Sequence, residues 1–189
     1  MENAGTLFAT FKARAEAVSA EVQRFATRAE AVEFIVGVMQ KAGVTTAPGA
    51  GAVWADGPFV RGLDRPGLSQ RVPGLRFDVT RDLAAGAAVG VSQVDWAVAN
   101  TGTLAQGVAD VNQRLASTLP NVHIAIASSD RIVPDLAGLL AKLGPKQTSY
   151  LALVTGPSRT ADIERVLTIG VHGPERLVIV FVDDLAGRN

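Results

Sequence analysis

The sequence predicts an α/β protein whose mostly parallel sheet is sandwiched by helices, and three observations lead there. The runs "VHIAIA", "SYLALV" and "RLVIVFV" are unbroken apolar segments of strand length, the pattern of strands buried on both faces. Helical patterns alternate with them, as a parallel sheet requires of its crossovers. The 189 residues, 48% hydrophobic and 19% charged, are enough for one domain to bury a real core, built mostly from Val, Leu, Ile and Ala because aromatics are only 5%.

Taken in order, Leu7, Phe8, Phe11, Ala15 and Val18 recur at helical spacing and predict a first helix from about Thr6 to Ser19. "AEVQRF" then alternates as a short strand. Thr27 and Glu30 form a capping-box pattern, and Val32, Ile35, Val36 and Met39 supply the buried face of a second helix that Gly43 ends. This helical part occupies about 1–42. Residues 43–74 hold seven Gly and four Pro and predict mostly turn and loop, with "AVWA" as a strand and Trp54 and Phe59 as the anchors. Such a stretch serves either as a surface excursion or as a lid over a pocket.

"VDWAVANTGTLAQG" reads as two short strands about a hairpin turn in which Gly102 permits positive φ. Val122–Ala127 is a strand, and Pro134 to Leu143 a helix with proline in its first turn. "SYLALVT", a helix over "TADIERVLTI", and "RLVIVFV" then predict a strand–helix–strand unit. With no internal repeat, one domain covers 1–189.

Composition excludes several functions. Eighteen basic residues balance eighteen acidic ones, which removes the electrostatic footprint of a nucleic-acid binder. The absence of cysteine excludes disulfides, thiolate catalysis and Cys-ligated zinc or iron–sulfur clusters on this chain. The start lacks a signal-peptide pattern and no apolar run reaches the ~20 residues of a membrane span, so the expectation is a soluble, cytoplasmic protein. Neither a G-x-G-x-x-G nor a G-x-x-x-x-G-K-S/T loop occurs, nor a G-x-S-x-G elbow, nor a metal-spaced histidine pair.

The polar turn "GPSRT" is the first candidate site. Placed at the carboxyl end of a parallel strand, Gly156, Ser158, Arg159 and Thr160 would face a ligand, with the Arg159 guanidinium as a fork for a carboxylate. Asp162, three residues on along a helix, would orient Arg159, and together with Glu164 it would disfavour polyanions; the plainer roles are helix caps at Ser158 and Thr160 and a surface ion pair at Arg159. Asn100, Thr101, Gly102 and Thr103 form a second candidate turn, expected to share a pocket with the first. His172 would lie about 15 Å from Ser158, and both it and His123 approach the amino edge of the sheet, where structural hydrogen bonding is the expected role. No catalytic residue is assigned and no metal site is expected.

"ANTGTL", "RLASTLPNVHIAIA", "IVPDL", "GPSRTADIE" and "GVHGPERLVIVFVDD", in that order from about Val91 to Asp184, resemble the lactate utilization protein C family, built on the LUD domain. The resemblance implies a fold of the ribose-5-phosphate isomerase and CoA-transferase-like (NagB/RpiA) type. It further implies a component of L-lactate oxidation to pyruvate, an auxiliary or small-carboxylate-binding subunit beside partners that carry iron–sulfur clusters. A standalone enzyme acting on a small acyl or phosphorylated substrate and an assembly scaffold are the alternatives. Asn100 stands where the family commonly has an acidic residue, which weakens any carboxylate-nucleophile chemistry there. Gln106 and Gly107 replace a usually more apolar continuation.

Overall fold

A computed structural model describes residues 4–107, 110–143, 150–161, 167–169 and 173–185. Its helices are α1 (Ala4–Ala17), α2 (Arg28–Lys41), α3 (Arg65–Arg71), α4 (Arg81–Ala85), α5 (Val111–Thr118) and α6 (Leu136–Lys142). The strands of the central sheet are β1 (Glu21–Phe25), β2 (Gly51–Trp54), β3 (Leu75–Arg76), β4 (Ala87–Gln93), β7 (Val122–Ser128) and β12 (Arg176–Val182), in the spatial order β1-β12-β7-β4-β2-β3 and all parallel. A smaller sheet orders β8 (Ile132–Val133), β5 (Trp96–Val98), β6 (Thr103–Gly107) and β9 (Leu151–Val154). The mostly parallel central sheet flanked by helices is the α/β architecture that the apolar runs predict.

Alternation along each central strand sends side chains to two cores. On one face, Val89 and Val91 of β4, Ile124 and Ile126 of β7, and Val178 and Val180 of β12 pack with Ile35, Val36 and Met39 of α2. On the other, Ala125, Ala127, Ile179 and Phe181 meet Phe11 and Ala15 of α1 and the inner side chains Ala97, Leu104 and Ile132 of the smaller sheet. Phe181 receives both Phe8 and Phe11 edge-on, at centroid distances of 5.4 and 5.1 Å. The capping box at α2 is complete: the Thr27 Oγ1 accepts from the Glu30 amide, and the Thr27 amide donates to the Glu30 carboxylate.

Two expectations change. The Gly/Pro-rich stretch 43–74 carries β2, a 3-10 turn at Val60–Gly62 and α3, and it contributes to the core. Trp54 and Phe59 are both buried and stack at 6.0 Å, anchoring it as their size implied. The second change concerns "TADIERVLTI". Arg159–Ala161 (β10) and Leu167–Ile169 (β11) are strands paired antiparallel to each other, so the helix expected there is absent from the described residues, and Asp162 and Glu164 lie outside them. The strand–helix–strand unit also dissolves, because β9 pairs antiparallel with β6 in the smaller sheet while β12 sits inside the larger one. Thr168 and its β-branched and apolar neighbours suit a strand as well as a helix, and pairing decided between them.

Close packing of α5 on β4 makes Gly90 obligatory. A Cβ there would stand 2.7 Å from Pro120 Cγ and closer still to the Ala116 carbonyl oxygen. Gly90→Ala is therefore expected to destabilise the protein by at least about 2 kcal/mol, lowering the thermal unfolding midpoint by at least about 4 °C.

Candidate functional site

All six central strands run the same way, so their carboxyl ends share one edge, and neighbouring strands β2 and β4 lead away in opposite directions there: β2 outward through α3 to β3, β4 back toward β7. In open α/β sheets such a divergence leaves a crevice. A cleft of about 610 Å³ occupies it, within the usual range of small-molecule sites of roughly 300–1,000 Å³. β2 delivers Pro58 and Arg61 to it, β4 delivers Gln93 and Asp95, and β7 delivers Ser128 and Arg131. Arg28 enters from the head of α2, and Gln106 and Gln113 from β6 and α5.

Three glutamines lock one wall. Gln106, 2% exposed, donates from Nε2 to the Gln93 carbonyl at 2.9 Å and to Gln113 Oε1 at 3.2 Å. Gln113 Oε1 also accepts from the Gln93 amide at 3.2 Å, while its Nε2 donates to the Asp56 carbonyl. Gln93 Oε1 accepts from the Phe59 amide at 2.8 Å. The loop after β2, the end of β4, β6 and α5 are thereby joined through neutral side chains. Gln106 Oε1 is buried without a partner among the described residues; such an acceptor carries a desolvation cost.

Charge enters through arginines. Arg61 pairs with Asp56 at 2.8 Å, and Arg65 shares the same carboxylate. Arg28 lies over the Phe59 ring at 5.3 Å, pressed so near Gly62 that a Cβ there would stand 2.5 Å from its Nη1, and it makes no ion pair among the described residues. Arg131 lies over Trp96 at 5.4 Å. The free amides at the start of α2 are already taken by this chain, since the Arg28 amide donates to Asp184 at 3.0 Å beside the capping box. Anion recognition in the cleft falls to guanidinium side chains rather than to the helix dipole. Asp95 is the carboxylate among the lining residues. Burial pushes its pKa up, while the Gly107 amide, donating to Oδ2 at 2.6 Å, and the nearby Arg131 oppose that rise.

The residues singled out in the two turns lie elsewhere. Ser158 donates its amide to the Pro174 carbonyl at 2.8 Å, just before β12 begins, and Arg159 donates to the Val18 carbonyl at 2.9 Å and Ser19 Oγ at 3.1 Å, just before β1 begins. "GPSRT" thus sits at the amino edge of the central sheet, about 20 Å of strand away from the cleft. The rule that placed it at a carboxyl edge does not apply, because β9 is not part of the parallel sheet. The two turns do meet: Thr103 Oγ1 and Thr155 Oγ1 are 2.8 Å apart. Both also lean on α1, since a Cβ on Gly102 would stand 2.7 Å from the Arg14 carbonyl carbon and one on Gly156 2.7 Å from the Val18 oxygen. Asn100 and Thr101 are exposed, with the Asn100 amide bonded to the Pro134 carbonyl at 3.0 Å. Thr160 contributes backbone to β10, and Asp162 and His172 fall outside the described residues.

Arg159 has a physical role at this position. Val18 follows the last turn of α1, where carbonyls lack helical partners, and Ser19 adopts a left-handed φ of 71°. A guanidinium there caps the negative end of the helix and holds the Ser19 bend. Arg159→Ala is expected to lower the thermal midpoint by about 2–4 °C, the effect of losing about 1 kcal/mol of exposed hydrogen bonding.

His123 is buried in the core with Nε2 2.8 Å from Ser92 Oγ and Nδ1 unpartnered among the described residues. Burial pushes its pKa down to about 4. An unfolded histidine binds a proton near pH 6.5, so acidification from about pH 6.5 to about pH 4 favours the unfolded chain, by on the order of 3 kcal/mol. Chemical denaturation across that interval should show a loss of stability that His123→Gln reduces.

Sequence reading missed Arg28, Arg61, Gln93, Gln113 and Arg131. One signal pointed here: the polar Gln106–Gly107 pair in place of an apolar continuation, next to Asp95 in the same hairpin. Among the described residues no group of three or more His, Asp or Glu could hold a metal ion, and no helix is long and apolar enough to cross a membrane.

Fold and cleft together describe an α/β domain with a basic, glutamine-walled crevice at the carboxyl edge of a parallel sheet. The LUD domain family matches residues 8–182, and the chain belongs to that family. It is similar to lactate utilization protein C of Exiguobacterium sp., 38% identical over 114 residues that cover 57% of this chain and 50% of that protein. To lactate utilization protein B of Shouchella clausii it is 35% identical over 104 residues, 51% of this chain and 20% of that one. The uncharacterized protein YkgG of Escherichia coli is 31% identical over 137 residues, 65% of this chain and 59% of the other. The chain spans about half the length of the curated relatives named lactate utilization protein C that it matches. A crystal structure of a DUF162 family protein from Deinococcus radiodurans shares the fold, with a TM-score of 0.60 at 18% identity over 96% of this chain and 99% of that one.

Proposed function

We propose that this chain is a small-carboxylate-binding component of an L-lactate utilization system and that it binds its ligand in the carboxyl-edge cleft. The observation that carries the reading is the convergence of Arg28 and Arg131 on a cleft at the divergence of β2 and β4. A guanidinium offers two parallel donors to a carboxylate, and the glutamines of the wall, already bonded to one another and to backbone, leave that contact to the arginines. The similarity to proteins named lactate utilization protein B and C supports L-lactate as the ligand of this reading, with its oxidation product pyruvate as the companion candidate. Electron transfer in this reading belongs to iron–sulfur partner proteins, in keeping with a chain of 189 residues that has no cysteine to ligate a cluster. This chain positions the acid for them.

Calorimetric or ligand-observed NMR titration with L-lactate and pyruvate tests the reading. Saturable binding without turnover is expected for the chain alone, and Arg28→Ala and Arg131→Ala should each weaken it by about tenfold or more, the effect of losing a charged hydrogen bond. Arg159→Ala should leave the affinity of the folded protein unchanged. Turnover by the isolated chain would instead make it a standalone enzyme, and the absence of binding would make it a scaffold.

A further inference from the structure

Arg28 ends a row of stacked rings. Phe59 lies against Trp54 at 6.0 Å between centroids with 18° between planes, and Trp54 lies against Phe77 at 6.1 Å with 27°. An arginine covers the ring at each end of the row, Arg28 over Phe59 at 5.3 Å and Arg65 over Phe77 at 5.4 Å. What balances their charge differs. Arg65 is paired with Asp56, whereas Arg28 makes no side-chain ion pair among the described residues and lines the cleft.

The Arg28 side chain is fixed at its root and at its tip. Its backbone amide donates to Asp184 at 3.0 Å, and the ring that backs the guanidinium belongs to a residue whose own amide donates to Gln93 Oε1 at 2.8 Å. Gly62, the last residue of the 3-10 turn Val60–Gly62, closes the side of this seat and lines the cleft with it. A Cβ on Gly62 would stand 2.5 Å from Arg28 Nη1 and 3.8 Å from its Cζ, and apart from its chain neighbours it would meet no other described atom within 4 Å. The guanidinium alone uses the space that this glycine leaves.

We propose that Gly62 is the positioning residue for Arg28: by lacking a side chain it admits the guanidinium against the Phe59 ring, and so holds the carboxylate fork in place at the cleft before a ligand arrives. The inference rests on the carboxylate-binding reading above and adds to it how the fork is held. A ring beneath the face of a guanidinium leaves the N–H groups in its plane free to donate. An arginine already seated also loses less rotamer freedom on binding than one that waves in solvent. A methyl group at position 62 would push the guanidinium out of its seat, because the far end of a flexible side chain yields before backbone does.

The test measures Kd for L-lactate with the wild type, Gly62→Ala, Arg28→Ala and the double variant. Gly62→Ala should weaken binding about tenfold, the effect of losing a charged hydrogen bond, while circular dichroism and the thermal midpoint stay those of the folded wild type. In the Arg28→Ala background the same substitution should change Kd by less than about twofold, within the scatter of such cycles. A second readout needs no ligand. In the free wild type the Phe59 ring current should move the Arg28 guanidinium protons upfield in the NMR spectrum, and Gly62→Ala should abolish that shift. Wild-type affinity in Gly62→Ala, an equal loss with and without Arg28, or guanidinium protons at their ordinary position in the wild type overturns the inference and leaves the carboxylate-binding reading standing. If Gly62→Ala does not fold, the wild-type spectrum decides by itself. Failure of both L-lactate and pyruvate to bind the wild type overturns that reading and the inference with it.

Discussion

The structure depends on one constraint: β12 lies between β1 and β7 in an all-parallel sheet, so its residues from Leu177 to Val182 are buried and both faces must be covered. One cover is α2 and the other is α1 with the smaller sheet. Because every central strand runs the same way, all the crossing loops that leave the sheet gather at a single edge. The cleft is the space those loops fail to fill, at the one place where neighbouring strands part. Exposed ion pairs pin the ends of this arrangement, with Arg176 bidentate on Glu21 at the amino edge and Arg24 on Asp183 at the carboxyl edge. Each contributes little by itself, under about 1 kcal/mol. Their value is in register, which fixes where Arg28 and Asp184 meet.

Much of the fold was legible in the sequence because its signals are local. The helical spacing of Phe11 and Ala15, the Thr27–Glu30 capping box and the apolar run of β7 each specify their element without reference to distant residues. The hairpin turn at Gly102 was legible for the same reason, its φ of 65° being one that glycine adopts without strain. Failure came where partners are remote. Whether Leu151–Val154 joins the central sheet or the smaller one is decided by its pairing with Leu104–Gly107, and an apolar run looks alike in either place. That single ambiguity moved "GPSRT" from the amino edge to the carboxyl edge in the sequence reading and made Arg159 look like a ligand fork. Its guanidinium instead reaches a carbonyl 141 positions earlier in the chain.

The residues of the cleft were hard to see for a related reason. Arg28, Gln93, Gln113 and Arg131 come from four separate elements and form no motif in sequence. Each is an unremarkable polar residue near the end of an element. Only Gln106 carried a warning, since an amide at a position facing the interior needs partners from elsewhere. The interlocked amides explain the choice of glutamine: a neutral side chain that both donates and accepts can join three backbone segments without the desolvation cost of a buried charge. They also leave the arginines as the source of positive potential in the cleft, where Asp95 is the lining carboxylate and Asp56 pairs with Arg61.

The position of β12 has a consequence for synthesis of the protein on the ribosome. β1 pairs with residues 178–182, more than 150 positions later in the chain, through a register that β7 alone cannot supply. β2, β3, β4 and β7 can assemble as soon as they emerge, but β1 must wait for β12 before it can join the sheet. Phe8 and Phe11 lack their edge-on contact with Phe181 for that interval. The nascent chain therefore keeps this part of α1 incompletely covered until residues 176–182 have emerged, and the ordering of Arg28 beside Asp184 follows them.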